Sequence, residues 1–338
     1  MGFQVRGLQR YELDDFLLCF QASFGVDDLS LSIIRNSLIN DPYFTPDKVR
    51  VGVLDGDIIS HVVILHRPAW AGKQVITTAG LTAVATHPRF QGQGYGSRVA
   101  RDAVKMVRRK DYDLAILTTR VPGFFARLGF IEAPAVLGYQ CPATGLARMT
   151  VPEEYTLQRL DYHEMWPALA AVYREYSEQR TGMQVREDRF WETWPLRGTF
   201  PIGFSREAGS VGFVAMVGDT TVAYLGAQDI EDMPYLAVTE FAHRNDHAGA
   251  ALGLLKTAAL RYLTKGGRRV VIRAGRDAPV LNLLEEQAVP IDLDVGQGLM
   301  VMVTNKRWVR PAGFRNVDDA LQHLFFADPP AMWHRDGY

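Results

Sequence analysis

The sequence predicts an α/β (α+β) chain made of two successive units that share one order of elements. The chain has 338 residues, and single hydrophobic cores rarely grow beyond roughly 250–300 residues. Segments with strand-like alternation are interleaved with segments whose apolar residues recur at helical spacing. After residue 155 the opening order, a strand followed by helices, occurs a second time. We therefore expect two domains, residues 1–150 and 151–310, and a tail over residues 311–338.

Local patterns assign the elements of the first unit in order. Asp14 and Asp15 fall in the first turn of the first helical pattern, where carboxylates complement the helix dipole. The turn Asp55-Gly56-Asp57 separates two alternating segments and predicts a hairpin. The predicted strands are residues 3–8, 49–54, 58–65, 75–85 and 114–118, and the predicted helices are residues 11–17, 29–38, about 97–112 and 124–128. We expect residues 131–139 to close this unit.

Proline and glycine at residues 142–145 and 151–152 mark the best candidate for a linker. Beyond it, the predicted strands are residues 155–160, 220–228, 235–241 and 269–272, and the predicted helices include residues 165–173 and 248–263. The repeat is one of pattern and not of sequence.

The composition argues against several classes of function. The formal net charge is −1, so no global basic field would recruit nucleic acid or anionic lipid. The two cysteines, Cys19 and Cys141, have no metal-like spacing and make no disulfide framework, which fits a reducing cytoplasm. No apolar run reaches the ~18 residues of a membrane span. We expect a cytoplasmic protein with no metal, no nucleic-acid partner and no membrane partner, and its oligomeric state stays open.

The glycine-rich residues 89–97, Arg-Phe-Gln-Gly-Gln-Gly-Tyr-Gly-Ser, follow a predicted strand and precede a predicted helix. The first amides of a helix have no partner within it, and the helix dipole adds positive charge there. The sequence lacks the Gly-Lys-Ser/Thr of a nucleotide-hydrolase loop, and its glycine spacing differs from the dinucleotide fingerprint. We interpret the segment as an anion site; the alternative is a strand-to-helix turn that needs glycine for packing.

The spacing Gln91-x-x-Gly94-x-Gly96 resembles motif A of the Gcn5-related N-acetyltransferases (GNAT), Q/R-x-x-G-x-G/A. Residues 84–88, Val-Ala-Thr-His-Pro, resemble the end of that family's fourth strand, and residues 124–130, Phe-Phe-Ala-Arg-Leu-Gly-Phe, resemble its F-Y-x-x-L-G-F signature. The resemblance covers roughly residues 3–150. It implies tandem GNAT-like domains, each a mixed, mostly antiparallel sheet flanked by helices.

The resemblance also implies a function. Acetyl-CoA would be the cofactor, and its acetyl group would pass to a primary amine of a small molecule or peptide by direct attack on the thioester. The backbone of the glycine loop would bind the pyrophosphate, and the end of the fourth strand would pair with the pantetheine arm. The implied cofactor-binding residues are Val84, Ala85, Thr86, Gln91, Gly92, Gln93, Gly94, Tyr95, Gly96 and Ser97.

The catalytic residues depart from the family's pattern. Phe125 stands where the family usually places a tyrosine as general acid, and it has no proton to donate. A thiol with a pKa of about 8.5 leaves tolerably without an acid, and a hydroxyl of Tyr139 or Tyr338 is an alternative donor. Glu240 is a candidate base, or else a strand-end carboxylate paired with arginine or histidine. The alternative function is a non-catalytic acyl-CoA-binding or sensory protein.

The second unit carries a degenerate loop. Aligning Gly249 with Gly94 puts Asp246 at the position of Gln91, and a carboxylate there would repel a pyrophosphate. We expect this copy not to bind the cofactor. Residues 173–191 resemble the middle domain of the enhanced intracellular survival family of tandem acetyltransferases. That family also has a sterol-carrier-like domain, which we expect to be missing here or reduced to the tail.

Overall fold

Two mixed β-sheets, each flanked by helices, form the framework of the chain in the computed structural model, which describes residues 2–133, 135–193, 210–229, 234–272, 278–296 and 298–327. Within these residues each sheet has seven strands. Neighbouring strands are antiparallel except for one parallel pair in each sheet of the described chain. The predicted α/β class, with two mixed and mostly antiparallel sheets, is confirmed.

The first part of the chain contributes seven strands and five helices within the described residues. The strands are β1 Gln4–Gly7, β2 Val49–Leu54, β3 Asp57–Ala71, β4 Gln74–Thr86, β5 Leu114–Thr118, β6 Ile131–Glu132 and β7 Ala135–Pro142. The helices are α1 Leu13–Phe24, α2 Asp28–Ile39, α3 Tyr95–Arg109, α4 Pro122–Ala126 and α5 Ala143–Arg148. The predicted hairpin and the long strand that precedes the glycine loop are both present.

The later part of the chain contributes the remaining described elements. The strands are β8 Thr156–Arg159, β9 Ser210–Val217, β10 Thr220–Asp229, β11 Leu236–His243, β12 Arg269–Ile272, β13 Asp292–Gly296 and β14 Leu299–Val303. The helices are α6 Tyr162–Glu178, α7 Asp188–Thr193, α8 Ala248–Leu263, α9 Ala278–Glu286 and α10 Val317–Gln322, which is followed by a π-helical turn, His323–Ala327.

The two sheets exchange strands. The first has the order β1-β2-β3-β4-β5-β14-β6, and the second has the order β13-β7-β12-β11-β10-β9-β8. Residues 131–132 form β6 of the first sheet, but the prediction that residues 131–139 close the first unit is wrong for β7, which lies between β12 and β13 of the second sheet. Its side chains Tyr139 and Cys141 are buried in the core of that sheet. The domain limits at residues 150 and 310 remain a prediction.

Each sheet is covered by one amphipathic helix on the face that carries its main core. Helix α3 buries Val99, Ala103 and Val107 against the first sheet. Helix α8 is rich in small residues, and Ala251, Leu254 and Ala258 pack on the second sheet. Close packing of this kind requires apolar residues on one stripe of each helix, which is the pattern that predicted both helices.

A short segment between α6 and α7 joins the second unit to the first sheet. The amide of Gly182 donates to the carbonyl of Trp70 at 2.6 Å, and the amide of Trp70 donates to Met183 at 2.8 Å. The amide of Val185 donates to Pro68 at 2.8 Å. These bonds continue the ladder on β3, so the two units are tied by backbone pairing as well as by exchanged strands.

Both cysteines are buried and reduced, and burial raises the pKa of the Cys19 thiol to about 11 and that of Cys141 to about 12. A thiol that stays protonated is a poor nucleophile, so both act as packing groups. Within the described residues, no helix is long and apolar enough to cross a bilayer. The same residues contain no group of three His, Cys, Asp or Glu side chains that could hold a metal ion.

The exchange predicts that residues 1–150 alone do not form a stable domain. Without β14 the β5 strand has an unpaired edge, and the first core lacks Met300 and Met302. Exposed strand edges promote aggregation. When its unfolding in urea is monitored by circular dichroism, we expect the fragment to show no cooperative transition.

The matched control is a shortened chain that keeps β14. It is possible because β6 and β14 are close together: the amide of Ala133 donates to the carbonyl of Leu299 at 2.8 Å. A chain in which a two-residue Asn-Gly turn joins residues 2–133 to residues 299–327 should fold cooperatively. A cooperative transition of the 1–150 fragment with the same midpoint as this control would contradict the prediction.

Candidate functional site

The glycine loop leads into α3 with a row of unpaired amides. Gly94 caps the helix in the left-handed conformation, with φ 81°, and Gly92 has φ 76°. Among the described residues, the backbone amides of residues 92–97 have no hydrogen-bond acceptor, and the first helical bond runs from the amide of Arg98 to the carbonyl of Gly94. Free amides at a helix N-terminus form an anion site.

The loop lies directly against the end of β4. A β-carbon on Gly96 would come within 2.7 Å of the Thr86 hydroxyl oxygen, so only glycine permits this approach. The Gln91 side chain donates from Nε2 to the carbonyl of Thr86 at 3.0 Å. The first turn of α3 contains no acidic residue, which leaves its positive end uncompensated.

Strands β4 and β5 separate next to this loop. They pair in parallel only at Thr78–Leu114, Ala79–Ala115 and Gly80–Ile116. Beyond that point β5 continues to pair with β14, while β4 runs on toward the loop paired with β3 alone. A gap therefore opens between the two parallel strands, with the unpaired amides at one end.

A β-bulge shapes the wall of the gap. His61 pairs with Ala85 and Val63 pairs with Thr82, so Ala83 and Val84 both lie opposite Val62. Ala83 has φ 50°, a left-handed conformation that costs a non-glycine residue about 1–2 kcal/mol. Such strain persists only where neighbouring contacts hold it.

His61 supplies one of those contacts. Its Nδ1 lies 2.6 Å from the Ala83 carbonyl, and its ring is stacked on Phe20 with centroids 5.7 Å apart. Burial lowers the pKa of His61 to about 4, so the ring is neutral near pH 7. Because the Ala83 carbonyl can only accept, Nδ1 carries the hydrogen and donates. The ring thus lies in the core, behind the bulge.

The gap and the loop together form a cleft of about 1210 Å³. It is lined by Ser23, Phe24, Leu81, Thr82, Ala83, Val84, Ala85, Thr86, Phe90, Gln91, Gly92, Gly94, Tyr95, Gly96, Ser97, Thr118, Thr119, Arg120, Val121, Phe124 and Phe125. Of the residues predicted for the cofactor, Gln93 is exposed and does not line the cleft, and the others do.

Several residues of the cleft were missed by sequence reasoning. Ser23 and Phe24 come from the end of α1, Thr118 is the last residue of β5, and Thr119 and Arg120 follow it. No local motif marks them. The position of residues 118–120 follows from parallel pairing, which brings the carboxyl end of β5 beside that of β4.

Phe125 is buried in the first core, where its ring packs against Phe124 and Phe130 with centroid distances of 4.9 and 6.0 Å. It also forms part of the cleft wall. Tyr139 lies in the core of the second sheet and does not line the cleft. Tyr338 lies outside the described residues.

Glu240 on β11 belongs to a buried ion pair. Both of its oxygens face Arg186, with Nη1–Oε1 at 2.8 Å and Nη2–Oε2 at 3.3 Å, and Tyr224 donates its hydroxyl to Oε1 at 3.0 Å. Burial, with the carboxylate charge second, holds the pKa of Tyr224 well above its usual value. The guanidinium is stacked on Tyr173 at 4.2 Å. None of these groups lines the cleft.

The corresponding loop of the second unit is covered. A β-carbon on Gly249 would lie 3.2 Å from Pro152 and 3.5 Å from Tyr155, which pack over the start of α8. The Tyr155 hydroxyl is 3.3 Å from Nδ1 of His247, and the amide of Asn245 donates to Glu175 at 3.0 Å. Side chains of the protein thus occupy the space that the first unit leaves open.

We predict that His61 makes the fold sensitive to mild acid. The unfolded chain takes up a proton near pH 6.5, and the folded chain does so only near pH 4. Stability is therefore lost as the pH falls through this window. His61→Asn should reduce the loss of unfolding free energy between pH 7.5 and pH 5 by about 2 kcal/mol, measured by urea unfolding.

The matched control is His163→Asn, at an exposed histidine. This variant should lose as much unfolding free energy between pH 7.5 and pH 5 as the wild type does. An equal loss in the His61→Asn variant and in the wild type would show that His61 does not titrate as its burial requires.

We also predict a structural role for the buried carboxylate of the second unit. Glu240→Ala leaves Arg186 buried without its counter-ion and should cost about 3–5 kcal/mol of unfolding free energy. Asp188→Ala removes the partner of Arg174 in a pair whose side chains are 59% and 65% exposed, and should cost less than about 1 kcal/mol. Similar costs for the two variants would contradict the burial of the first pair.

Comparison with known proteins agrees with this geometry. Residues 4–133 match the family model described as an acetyltransferase (GNAT) domain. No curated protein matches the chain. A solved GCN5-related N-acetyltransferase from Anabaena variabilis has a TM-score of 0.70 and 14% identity, with 90% of this chain and 73% of that chain covered.

Two further solved structures have similar folds. Eis1 from Mycobacterium abscessus has a TM-score of 0.65 and 14% identity, with coverage of 92% of this chain and 75% of that one. A tandem GNAT protein from the clavulanic acid biosynthesis pathway has a TM-score of 0.51 and 15% identity, with coverage of 90% and 99%. At these identities the similarity shows the fold. The chain therefore has the fold of the tandem GNAT proteins, and residues 4–133 match the model of a GNAT-type acetyltransferase domain.

Proposed function

We propose that the protein is an acetyl-CoA-dependent N-acetyltransferase that acts on a primary amine of a small molecule or peptide. The observation that carries this proposal is the row of amides at residues 92–97, which have no acceptor among the described residues and stand at the open end of the cleft. A diphosphate would be bound by these amides and by the dipole of α3.

The cleft suits the rest of the cofactor. Residues 84–86 of β4 line it, and β5 does not pair with them. The edge of β4 that faces the gap can therefore bind an extended amide-containing arm as a missing strand would. Bound acetyl-CoA would supply an activated acetyl thioester. Ala83 and Val84, at the bulge, line the same cleft and would hold that group.

The bulge has a chemical use in this proposal. The extra residue of a bulge is left out of the ladder, so an amide of residues 83–84 can donate to the thioester oxygen as negative charge develops on it. Preorganised donors of this kind commonly contribute about 10²–10³ in rate. His61 holds the carbonyl of Ala83 and thereby keeps the backbone turned.

We further propose that the second unit binds no cofactor and supports the first. Pro152 and Tyr155 cover its loop, and β14 completes the first sheet beside β5. We also propose a cytoplasmic location, because both cysteines are free and thiols persist in reducing compartments.

One observation favours the second candidate, an acyl-CoA-binding or sensory protein without catalysis. Phe125 has no proton to donate, and it is held by packing against Phe124 and Phe130. Loss of a positioned acid typically costs about 10²–10⁴ in rate, although a thiolate with a pKa near ~8.5 can leave unaided.

Two measurements test the proposal together. Calorimetry measures CoA binding, and a thiol reagent follows CoA release from acetyl-CoA with a panel of amines. We expect binding and amine-dependent release. Binding without release for every amine would favour the sensory alternative, and absence of binding would exclude both.

Gly94→Glu should weaken CoA binding about 100-fold or more, because a carboxylate would face the pyrophosphate at contact distance. Gly56→Glu is the matched control, since Gly56 also has positive φ, 107°, with open space around it, but lies in a hairpin turn away from the cleft. Equal affinity of the two variants would remove the proposed pyrophosphate site.

A further inference from the structure

The walls of the cleft carry information about the amine. Among its described lining residues there is no aspartate, glutamate or histidine, and the charged side chain present is Arg120. The remaining groups are apolar side chains, hydroxyls, one amide and the glycine backbone. Neither His61, which lies behind the bulge, nor His87, whose Nδ1 accepts the amide of Arg89 at 3.2 Å, lines the cleft.

From these walls we infer the class of acceptor, an inference that rests on the proposed function. The acceptor is a weakly basic amine, of the α-amino type, carried on an apolar and uncharged or anionic molecule. It is not a polycation. Three features of the described walls support this inference. They contain no carboxylate or imidazole base, they contain one cationic side chain, and their apolar surface includes Phe24, Leu81 and Val121.

The proton balance gives the first argument. The nitrogen attacks the thioester carbon, a C–N bond forms, the C–S bond breaks, and the nitrogen then releases a proton to water or to the departing thiolate. An ammonium ion has no lone pair, so it must lose a proton before it attacks. With no base on the described walls, only the fraction that is neutral in solution can react.

That fraction depends strongly on the amine. An α-amino group with a pKa of about 7.7–8.0 is roughly one-tenth to one-sixth neutral at pH 7, whereas a side-chain amine of pKa about 10.4 is neutral in only about 0.04% of molecules. The neutral fraction of the α-amino group is thus a few hundred times that of the side-chain amine. A cleft without a base therefore discriminates against strongly basic amines before any contact is made.

Charge and polarity give the second argument. Arg120 is exposed at the rim where β5 ends, and no carboxylate on the described walls compensates it. A second positive charge on the acceptor would be repelled there. Phe24, Val121 and Phe124 offer apolar surface to the body of the acceptor, and such surface is favourable only for an apolar ligand.

The intact chain tests this with two amines that share a phenyl ring and with one aliphatic polyamine. The dependence of kcat/KM on pH is measured between pH 6 and pH 9 for phenylalanine amide, 2-phenylethylamine and spermidine, with CoA binding measured in parallel. We expect each profile to rise about tenfold per pH unit toward the pKa of that amine. Phenylalanine amide should be favoured roughly 100-fold over 2-phenylethylamine at pH 7, and spermidine should be the poorest acceptor.

Two pairs of variants sharpen the result. Arg120→Glu should raise kcat/KM for spermidine at least tenfold, whereas Arg127→Glu, at an exposed arginine outside the cleft, should not. His87→Gln should leave the pH profiles unchanged.

An inflection at one pH common to all amines would overturn the inference, because it would show that a group on the protein takes the proton. Spermidine as the best acceptor would also overturn it. If CoA binds and no amine reacts, the sensory function holds and the inference fails with the proposed activity; if CoA does not bind, the proposed function fails at the cofactor site.

Discussion

The cleft depends on the short pairing between β4 and β5. These strands share only three residue pairs, and then β5 stays with β14 while β4 stays with β3. Over residues 81–86 the edge of β4 that faces β5 therefore has no strand paired with it. The same fork points at the start of α3, where the glycines hold the amides free. Backbone groups that make no hydrogen bond within the protein are thus concentrated in this cleft, and ligands bind where such groups are available.

The bulge shows how strain is maintained there. Ala83 is left-handed, and its carbonyl is held by a neutral imidazole enclosed by Phe16 and Phe20. A charged residue could not occupy this position at tolerable cost, because burial without a counter-ion strongly disfavours charge. A purely apolar residue would leave the carbonyl without its donor. Histidine meets both demands near neutral pH, at the expense of stability in acid.

The sequence predicted the local features and missed the distant ones for a physical reason. The glycine loop, α3 and β4 depend on neighbours along the chain, so pattern and turn chemistry suffice. The partner of β7 lies more than a hundred residues away, and an alternating pattern states that a segment is a strand without stating which sheet receives it. Ser23 and Phe24 reach the cleft through the packing of α1, which no spacing encodes. For Glu240, the sequence left open a catalytic base or a carboxylate paired with arginine or histidine. The structure shows that its partner is the buried Arg186.

The exchanged strands have a consequence for synthesis on the ribosome. When residues 1–133 have emerged, the edge of β5 has no neighbour, and β14 is completed only at Val303. Strand β7 must likewise wait for β12 and β13. Pairings between distant segments form slowly, and the bare edge is prone to association with other chains during that interval. The second sheet is therefore complete only once residue 296 has been synthesised, and the first only once residue 303 has.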